Sequence, residues 1–182
     1  MATATLMTAE QYARMDDRGV PCELVRGEVV EMNQPTARHG QVCGKLSRIL
    51  GNFAEENDLG HVLANDAGIV TERDPDTVRG GDVWYISFAK VPRGPLPQGY
   101  LDVPPDLVFE VRSEHDRWAK VIEKVAEYLN AGVPVVVVLA TATETARVHY
   151  ADAPEVILQR DGELTFPEQL PGFGVSVARL FE

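Results

Sequence analysis

The feature that most constrains this chain is a glutamate inside an apolar strand. Glu110 lies in the segment LVFEV at 107–111, which is otherwise apolar on both of its faces. Such a segment is typical of a central strand that helices cover on both sides. An ionised carboxylate in this position is costly unless it is paired or coordinates a metal. We therefore expect Glu110 to belong to an ion pair or to a metal site.

A second acidic residue opens another apolar segment. Asp82 follows Gly80 and Gly81, and the sequence predicts a strand from Asp82 to Phe88 after a charged loop over 71–81. If the two strands are neighbours, the carboxylates of Asp82 and Glu110 converge on one divalent cation. Oxygen ligands of this kind suit Mg²⁺ or Mn²⁺. Taken singly, each acid also has a structural explanation, as a strand-end charge or as half of an ion pair.

A helix is predicted to return over the Glu110 strand, from His115 to Ala131, and to end at Gly132. Its 3.6-residue period places two sets of residues side by side. They are a buried stripe of Trp118, Val121, Ile122, Val125 and Leu129, and a basic face of Arg117, Lys120 and Lys124. Lys124 stands at the border of the two, where it can reach Glu110. The alternative is a surface lysine paired with Glu123 or Glu127.

The remaining segments predict one domain over 1–182 with a mixed α/β (α+β) fold, in which helices flank a central mixed sheet. Ahead of the two acidic strands, the pattern predicts a helix from Ala9 to Asp17, a hairpin over 22–32, a helix over 36–57 and a strand over 61–70. An irregular, proline-rich segment fills 91–105, and a β-branched strand covers 133–140. Shorter strands are predicted at 147–150, 155–159 and 163–166, the last two as a hairpin.

Composition limits the possible partners and compartment. The net charge of −11 predicts a surface that repels phosphate backbones, so any nucleic-acid binding must be local and metal-assisted. Cys22 and Cys43 have no metal-ligand spacing and are expected to be reduced thiols. No apolar run approaches the roughly 20 residues of a membrane span. These patterns favour a cytoplasmic protein with no membrane contact.

An ordered set of short motifs resembles the Uma family of restriction-endonuclease-like proteins, a bacterial branch of the PD-(D/E)XK nuclease superfamily. The spacing of Glu110, Ser113, Lys124, Tyr128 and the Ala-Gly-Val at 131–133 carries the resemblance, and Pro-Asp precedes it at 105–106. Further matches are Glu-Leu-Val at 23–25 with Gly-Glu at 27–28, Pro35, His39, the Gly-Asp-Val around Asp82, and Leu-Pro-Gly-Phe at 170–173.

The resemblance implies a restriction-endonuclease-like core in which Asp82 and Glu110 bind a metal and Lys124 is the catalytic lysine, moved from strand to helix. It also implies a further acid or polar group, for which Glu28 and His39 are the matching positions. Glu28 is equally well explained as an exposed hairpin charge, and His39 as a hydrogen-bonded core histidine.

The leading hypothesis is a Mg²⁺- or Mn²⁺-dependent endonuclease that cleaves DNA. In it, Asp82, Glu110 and the Val111 carbonyl hold the cation, while Lys124 positions the attacking water. Arg112 shares a strand face with Glu110 and is expected to bind a phosphate or pair with a glutamate. The nearby cations His115, Arg117 and Lys120 are expected to contact flanking phosphates.

Two alternatives remain open. The first is a nuclease-like fold that no longer cuts and serves as a binding or assembly module, including assembly as a homodimer. The net charge of −11 favours it, whereas the intact acids and lysine favour the enzyme. The second is a phosphoesterase for RNA or small nucleotides.

Overall fold

The computed structural model describes residues 6–16, 18–114 and 116–182. The helices are α1 (Ala9–Tyr12), α2 (Ala37–Glu56), α3 (Trp118–Asn130) and α4 (Val177–Phe181). The strands are β1 (Cys22–Val25), β2 (Glu28–Glu31), β3 (Gly60–Glu72), β4 (Thr77–Ser87), β5 (Leu107–Arg112), β6 (Val135–Ala140), β7 (Thr145–Tyr150), β8 (Val156–Leu158), β9 (Glu163–Phe166) and β10 (Leu170–Ser176). Asp17 and His115, which bounded two predicted helices, lie outside the described residues.

A mixed eight-stranded sheet forms the centre of the protein. Its strands follow the order β2-β1-β4-β5-β6-β7-β8, and β3 pairs with β4 from outside this path. The β5–β6 pair is parallel, whereas the other neighbours are antiparallel. Helix α3 connects β5 to β6, which agrees with the helical crossover that parallel strands require. The prediction of a mixed sheet flanked by helices is confirmed.

Helices cover the sheet on both faces. On one face, α2, α4 and the β9–β10 pair enclose a core that includes Leu46, Phe109 and Phe166. On the other face, Val125 and Tyr128 of α3 pack against the apolar strands β5 and β6. Helix α2 begins where predicted, because the Thr36 hydroxyl accepts a hydrogen bond from the His39 backbone N–H at 3.3 Å.

Strand β4 creates a fork in the sheet. One of its edges pairs with β3 over nearly its whole length. Its other edge meets β1 at Val78 and meets β5 only from Val83 to Tyr85. Between these two neighbours, this second edge of β4 pairs with no described strand. Beyond Phe109, β5 continues along β6 and leaves β4. The candidate site lies in this opening.

Three local predictions were wrong. The segment 71–81 is mostly strand, not loop, so Asp82 lies inside β4 and its two preceding glycines are paired with β3. The β8–β9 hairpin does not form, because β8 pairs with β7 while β9 pairs with β10 and buries Leu164 and Phe166. Ile122 is 43% exposed, and Tyr128 takes its place in the buried stripe of α3.

Across the described residues, no helix is both long enough and apolar enough to cross a membrane.

Candidate active site

Asp82 lies where β4 and β5 separate. Its side chain is largely buried, and Oδ2 accepts a hydrogen bond from the Val111 backbone N–H at 2.5 Å. Its other oxygen, Oδ1, lies 3.2 Å from His39 Nε2 on α2. Burial opposes protonation of His39, but the hydrogen bond and charge of Asp82 outweigh it and raise the pKa of the imidazole. Asp82 thus joins both strands of the fork to α2.

Glu110 is buried on the α3 side of the sheet. Tyr128 donates its hydroxyl to Glu110 Oε1 at 2.8 Å, and Lys124 Nζ lies 3.0 Å from Oε2. Burial raises the pKa of Glu110 to about 7, the charge of Lys124 opposes this rise, and the nearby charge of Asp82 adds to it. Asp82 acts on Glu110 because its carboxylate binds the N–H of Val111, the residue that follows Glu110.

Lys124 points from α3 into the fork, with a side chain that is only 16% exposed. Besides Glu110, its ammonium contacts Glu23 Oε1 at 3.1 Å and the Gly80 carbonyl at 3.1 Å. Burial alone favours the neutral amine, yet the surrounding carboxylates, Glu110 foremost, raise the pKa of Lys124 above its usual value. Lys124 is therefore a buried, charged lysine, not a surface lysine paired with Glu123 or Glu127.

Sequence reasoning assigned no role to Glu23, which is 4% exposed. Its Oε1 accepts from the Gly80 backbone N–H at 3.1 Å, and its Oε2 lies 2.8 Å from Arg79 Nη1. Arg79 also binds Glu127 of α3, through Nε at 2.6 Å and Nη2 at 2.7 Å. Two features of the sequence could have identified Glu23 as a site residue. It is an acid followed by two apolar residues in a short predicted strand, and it belongs to a motif that carries the family resemblance.

The fork offers oxygen donors from three sources. They are the carboxylates of Asp82 and Glu110 and the carbonyl of Val111, which points to the same side of β5 as the N–H bound by Asp82. An oxygen-only set with two carboxylates fits Mg²⁺ or Mn²⁺. His39, Cys43 and Asp82 form a mixed group in which one potential ligand atom of each lies within 4.8 Å of the others. Burial raises the pKa of the Cys43 thiol, which disfavours the thiolate that metals bind.

Arg112 is held away from the carboxylates of the fork. Its Nε and Nη2 donate to the Asp116 carbonyl at 3.1 and 2.8 Å. The Arg112 guanidinium also lies 4.6 Å from the centroid of the Trp118 ring, as does that of Arg147. These contacts combine cation–π attraction with backbone hydrogen bonds. The described contacts of Arg112 therefore include no glutamate.

The other predicted positions lie at the surface. Arg117 is the exposed N-cap residue of α3, and Lys120 is 77% exposed and paired with Glu123 at 2.7 Å. Glu28 is exposed on β2, and none of its described contacts reaches Asp82, Glu110 or Lys124. The fold thus links Asp82 to Val111 and His39, and Lys124 to Glu110, at the fork. It leaves Glu28, Arg112, Arg117 and Lys120 outside these contacts, and His115 lies outside the described residues.

The sheet, the flanking helices and the fork define a restriction-endonuclease-like fold. A family model, Uma2, described as "Putative restriction endonuclease", matches residues 9–178. The chain therefore belongs to the Uma2 family, as its motifs indicated.

A solved structure has the same fold. It is the crystal structure of "a putative nuclease belonging to DUF820" from Anabaena variabilis, to which this chain is similar with a TM-score of 0.81 and 14% sequence identity. The similarity covers 96% of this chain and 97% of that one, and at this identity it establishes the fold. No curated protein matches the chain.

Proposed function

We propose that this protein is a divalent-metal-dependent endonuclease that hydrolyses phosphodiester bonds of DNA. The observation that carries the proposal is that Asp82 binds the backbone N–H of Val111, the residue after Glu110, while Lys124 binds the carboxylate of Glu110. Glu110 is a buried acid with a raised pKa beside a charged partner, a combination that identifies candidate functional sites. Membership of the Uma2 family supports the same reaction class.

The proposed roles follow from the positions of the side chains. Asp82, Glu110 and the Val111 carbonyl would hold the cation, which when bound would polarise a phosphate and lower the pKa of a water molecule. Tyr128 fixes the orientation of Glu110 through its 2.8 Å hydrogen bond. Lys124 would donate to the attacking water or to a phosphate oxygen and offset the charge that develops there.

Lys124 is better placed than Arg112 for the catalytic role. Lys124 contacts Glu110 directly, whereas two donors of Arg112 are engaged by the Asp116 carbonyl. The guanidinium of arginine is also rigid and permanently charged, so it suits phosphate binding better than the orientation of a water molecule. Arg112, Arg117 and Lys120 are therefore assigned to the phosphates that flank the cleaved bond. Such contacts position DNA without reading its sequence.

The test combines metal binding with cleavage. Mn²⁺ binding is measured by isothermal titration calorimetry, and nicking of supercoiled DNA by gel electrophoresis, for the wild type, Asp82→Asn and Glu110→Gln. Both substitutions are expected to abolish Mn²⁺ binding and to reduce cleavage by at least about 10²-fold. Glu123→Gln, which alters an exposed acid on α3, is the control and should behave as the wild type.

Each contrary result is informative. Cleavage that persists in both variants would refute the assignment of the site. Metal and DNA binding without any cleavage by the wild type would favour the non-cutting binding module. Cleavage of RNA or nucleotides, but not of DNA, would correct the substrate class while leaving the roles of Asp82 and Glu110 in place.

A further inference from the structure

We propose that Glu23 is a positioning residue that holds the ammonium of Lys124 in the fork. The inference rests on the proposed function, because it concerns the lysine to which the catalytic role is assigned. Glu23 Oε1 lies 3.1 Å from Lys124 Nζ, and the side chain of Glu23 is only 5% exposed. A carboxylate this deeply buried is retained only where it is paired.

Lys124 needs a second carboxylate because Glu110 is also assigned to the metal. An ammonium has three N–H donors, and the described partners of Lys124 are the acceptors Glu110 and the Gly80 carbonyl and the ion-pair partner Glu23. If Glu110 held a cation, Glu23 would be the remaining carboxylate in contact with the lysine. One donor of Lys124 would then be available for the water or phosphate, while Glu23 and Gly80 would keep the ammonium in the fork.

The surroundings of Glu23 fix its carboxylate in a single orientation. Oε1 accepts from the Gly80 N–H at 3.1 Å, and Oε2 lies 2.8 Å from Arg79 Nη1. Gly80 lies in the stretch of β4 that has neither β1 nor β5 beside it. The side chains of Glu23 and Lys124 therefore bind the N–H and the carbonyl of Gly80 that a neighbouring strand would otherwise pair. Glu23 cannot turn away from Lys124 without also leaving Arg79 and this N–H.

The chain provides a matched control in Glu127. Arg79 lies between the two glutamates and binds Glu127 through Nε at 2.6 Å and Nη2 at 2.7 Å. Both acids are substantially buried, with side-chain exposures of 5% for Glu23 and 16% for Glu127. Of these two glutamates, however, only Glu23 contacts Lys124 among the described pairs. A purely structural role, exerted through Arg79, would be lost in both variants, whereas a positioning role would be lost only with Glu23.

The experiment compares Glu23→Gln with Glu127→Gln in the full chain. For Glu23→Gln we expect kcat to fall by about 10²-fold, the scale of a small misplacement of a catalytic group. KM for DNA and the Kd for Mn²⁺ should stay within about threefold of the wild type, because Glu23 is assigned to neither ligand. Both variants should lower Tm by similar amounts, because each removes one carboxylate partner of Arg79. Glu127→Gln should nevertheless keep the kcat of the wild type.

A second readout does not depend on activity. The ammonium of Lys124 should give a ¹H–¹⁵N cross-peak in the metal-free wild type, because buried, hydrogen-bonded protons exchange slowly with water. The signal should be lost in Glu23→Gln and kept in Glu127→Gln. If Glu23→Gln fails to fold, Glu23→Asp takes its place; it keeps the charge for Arg79 but withdraws the carboxylate by about 1.5 Å. We expect the same fall in kcat for Glu23→Asp.

The possible outcomes separate the two proposals. Equal losses of kcat in the Glu23 and Glu127 variants, or normal kcat in Glu23→Gln, would overturn the positioning role. If the wild type cleaves no phosphodiester, the proposed function fails. The ¹H–¹⁵N spectrum alone then tests whether Glu23 holds the ammonium of Lys124. In that case, an unchanged Lys124 cross-peak in Glu23→Gln overturns the positioning role, and its selective loss supports it.

Discussion

Replacing Lys124 with methionine tests the most consequential feature of the site. The substitution keeps an apolar stem but removes the ammonium that lies 3.0 Å from Glu110 Oε2 and 3.1 Å from Glu23 Oε1. Two buried carboxylates then lose their shared cation. Removal of one partner from a buried ion pair costs about 3–5 kcal/mol. At about 2–4 °C per kcal/mol for a chain of this size, Tm should fall by about 6–20 °C.

The assay is thermal unfolding followed by circular dichroism in EDTA. Lys120→Met is the matched control, because Lys120 lies one turn earlier on α3, is 77% exposed and pairs with Glu123 at the surface. An exposed pair of this kind contributes about 0–1 kcal/mol, so the control should lose no more than about 4 °C. Equal stability of the two variants would refute the reasoning that Lys124 neutralises buried acids.

Metal binding and cleavage extend the same comparison. Asp82 and Glu110 remain in Lys124→Met, so the variant should still bind Mn²⁺ while kcat falls by about 10²–10³-fold. Tightly bound Mn²⁺ should also restore part of the lost stability, by about 2.7 kcal/mol at a free concentration of 100 times Kd. If Lys124→Met cut normally and Arg112→Met were inactive, the catalytic roles would be exchanged.

Two further predictions concern Tyr128 and the affinity for DNA. Tyr128→Phe removes the 2.8 Å hydrogen bond to the buried Glu110 and should lower the free energy of unfolding by about 1.5–3 kcal/mol, measured in urea; an unchanged urea midpoint would contradict it. DNA affinity, measured by fluorescence anisotropy, should be weak without a divalent ion and should fall steeply with salt, because the net charge of −11 leaves only a local basic face to contact phosphates. Tight, salt-insensitive binding in EDTA would indicate another mode of recognition.

Elements determined by local patterns were predictable from the sequence. Helix α2 has a capping residue and a 3.6-residue apolar period, and its predicted range of 36–57 agrees with Ala37–Glu56. The apolar runs of β5 and β6 identified two central strands that helices cover. A charge in such a run is costly wherever the strand lies, so Glu110 could be selected as a site residue before any contact was known.

Elements that depend on distant partners were not predictable in the same way. The segment 71–81 contains charged and glycine residues that favour a loop locally, yet most of it is strand because it pairs with β3. Arg79 is tolerated in that strand because Glu23 and Glu127 neutralise it from β1 and α3. The β9 strand likewise pairs with β10 instead of β8, since this choice buries Leu164 and Phe166.

The sequence by itself determined the apolar strands, the main helices and the acids and lysine that stand out from them. These features depend on residue type and on neighbours a few positions away. Only the tertiary structure decided which charges meet, placing Glu23 beside Lys124 and holding Arg112 against Trp118. The physical reason is that the pairing of buried charges depends on strand order and register. Those are set by burial summed over the whole sheet, and no local spacing specifies them.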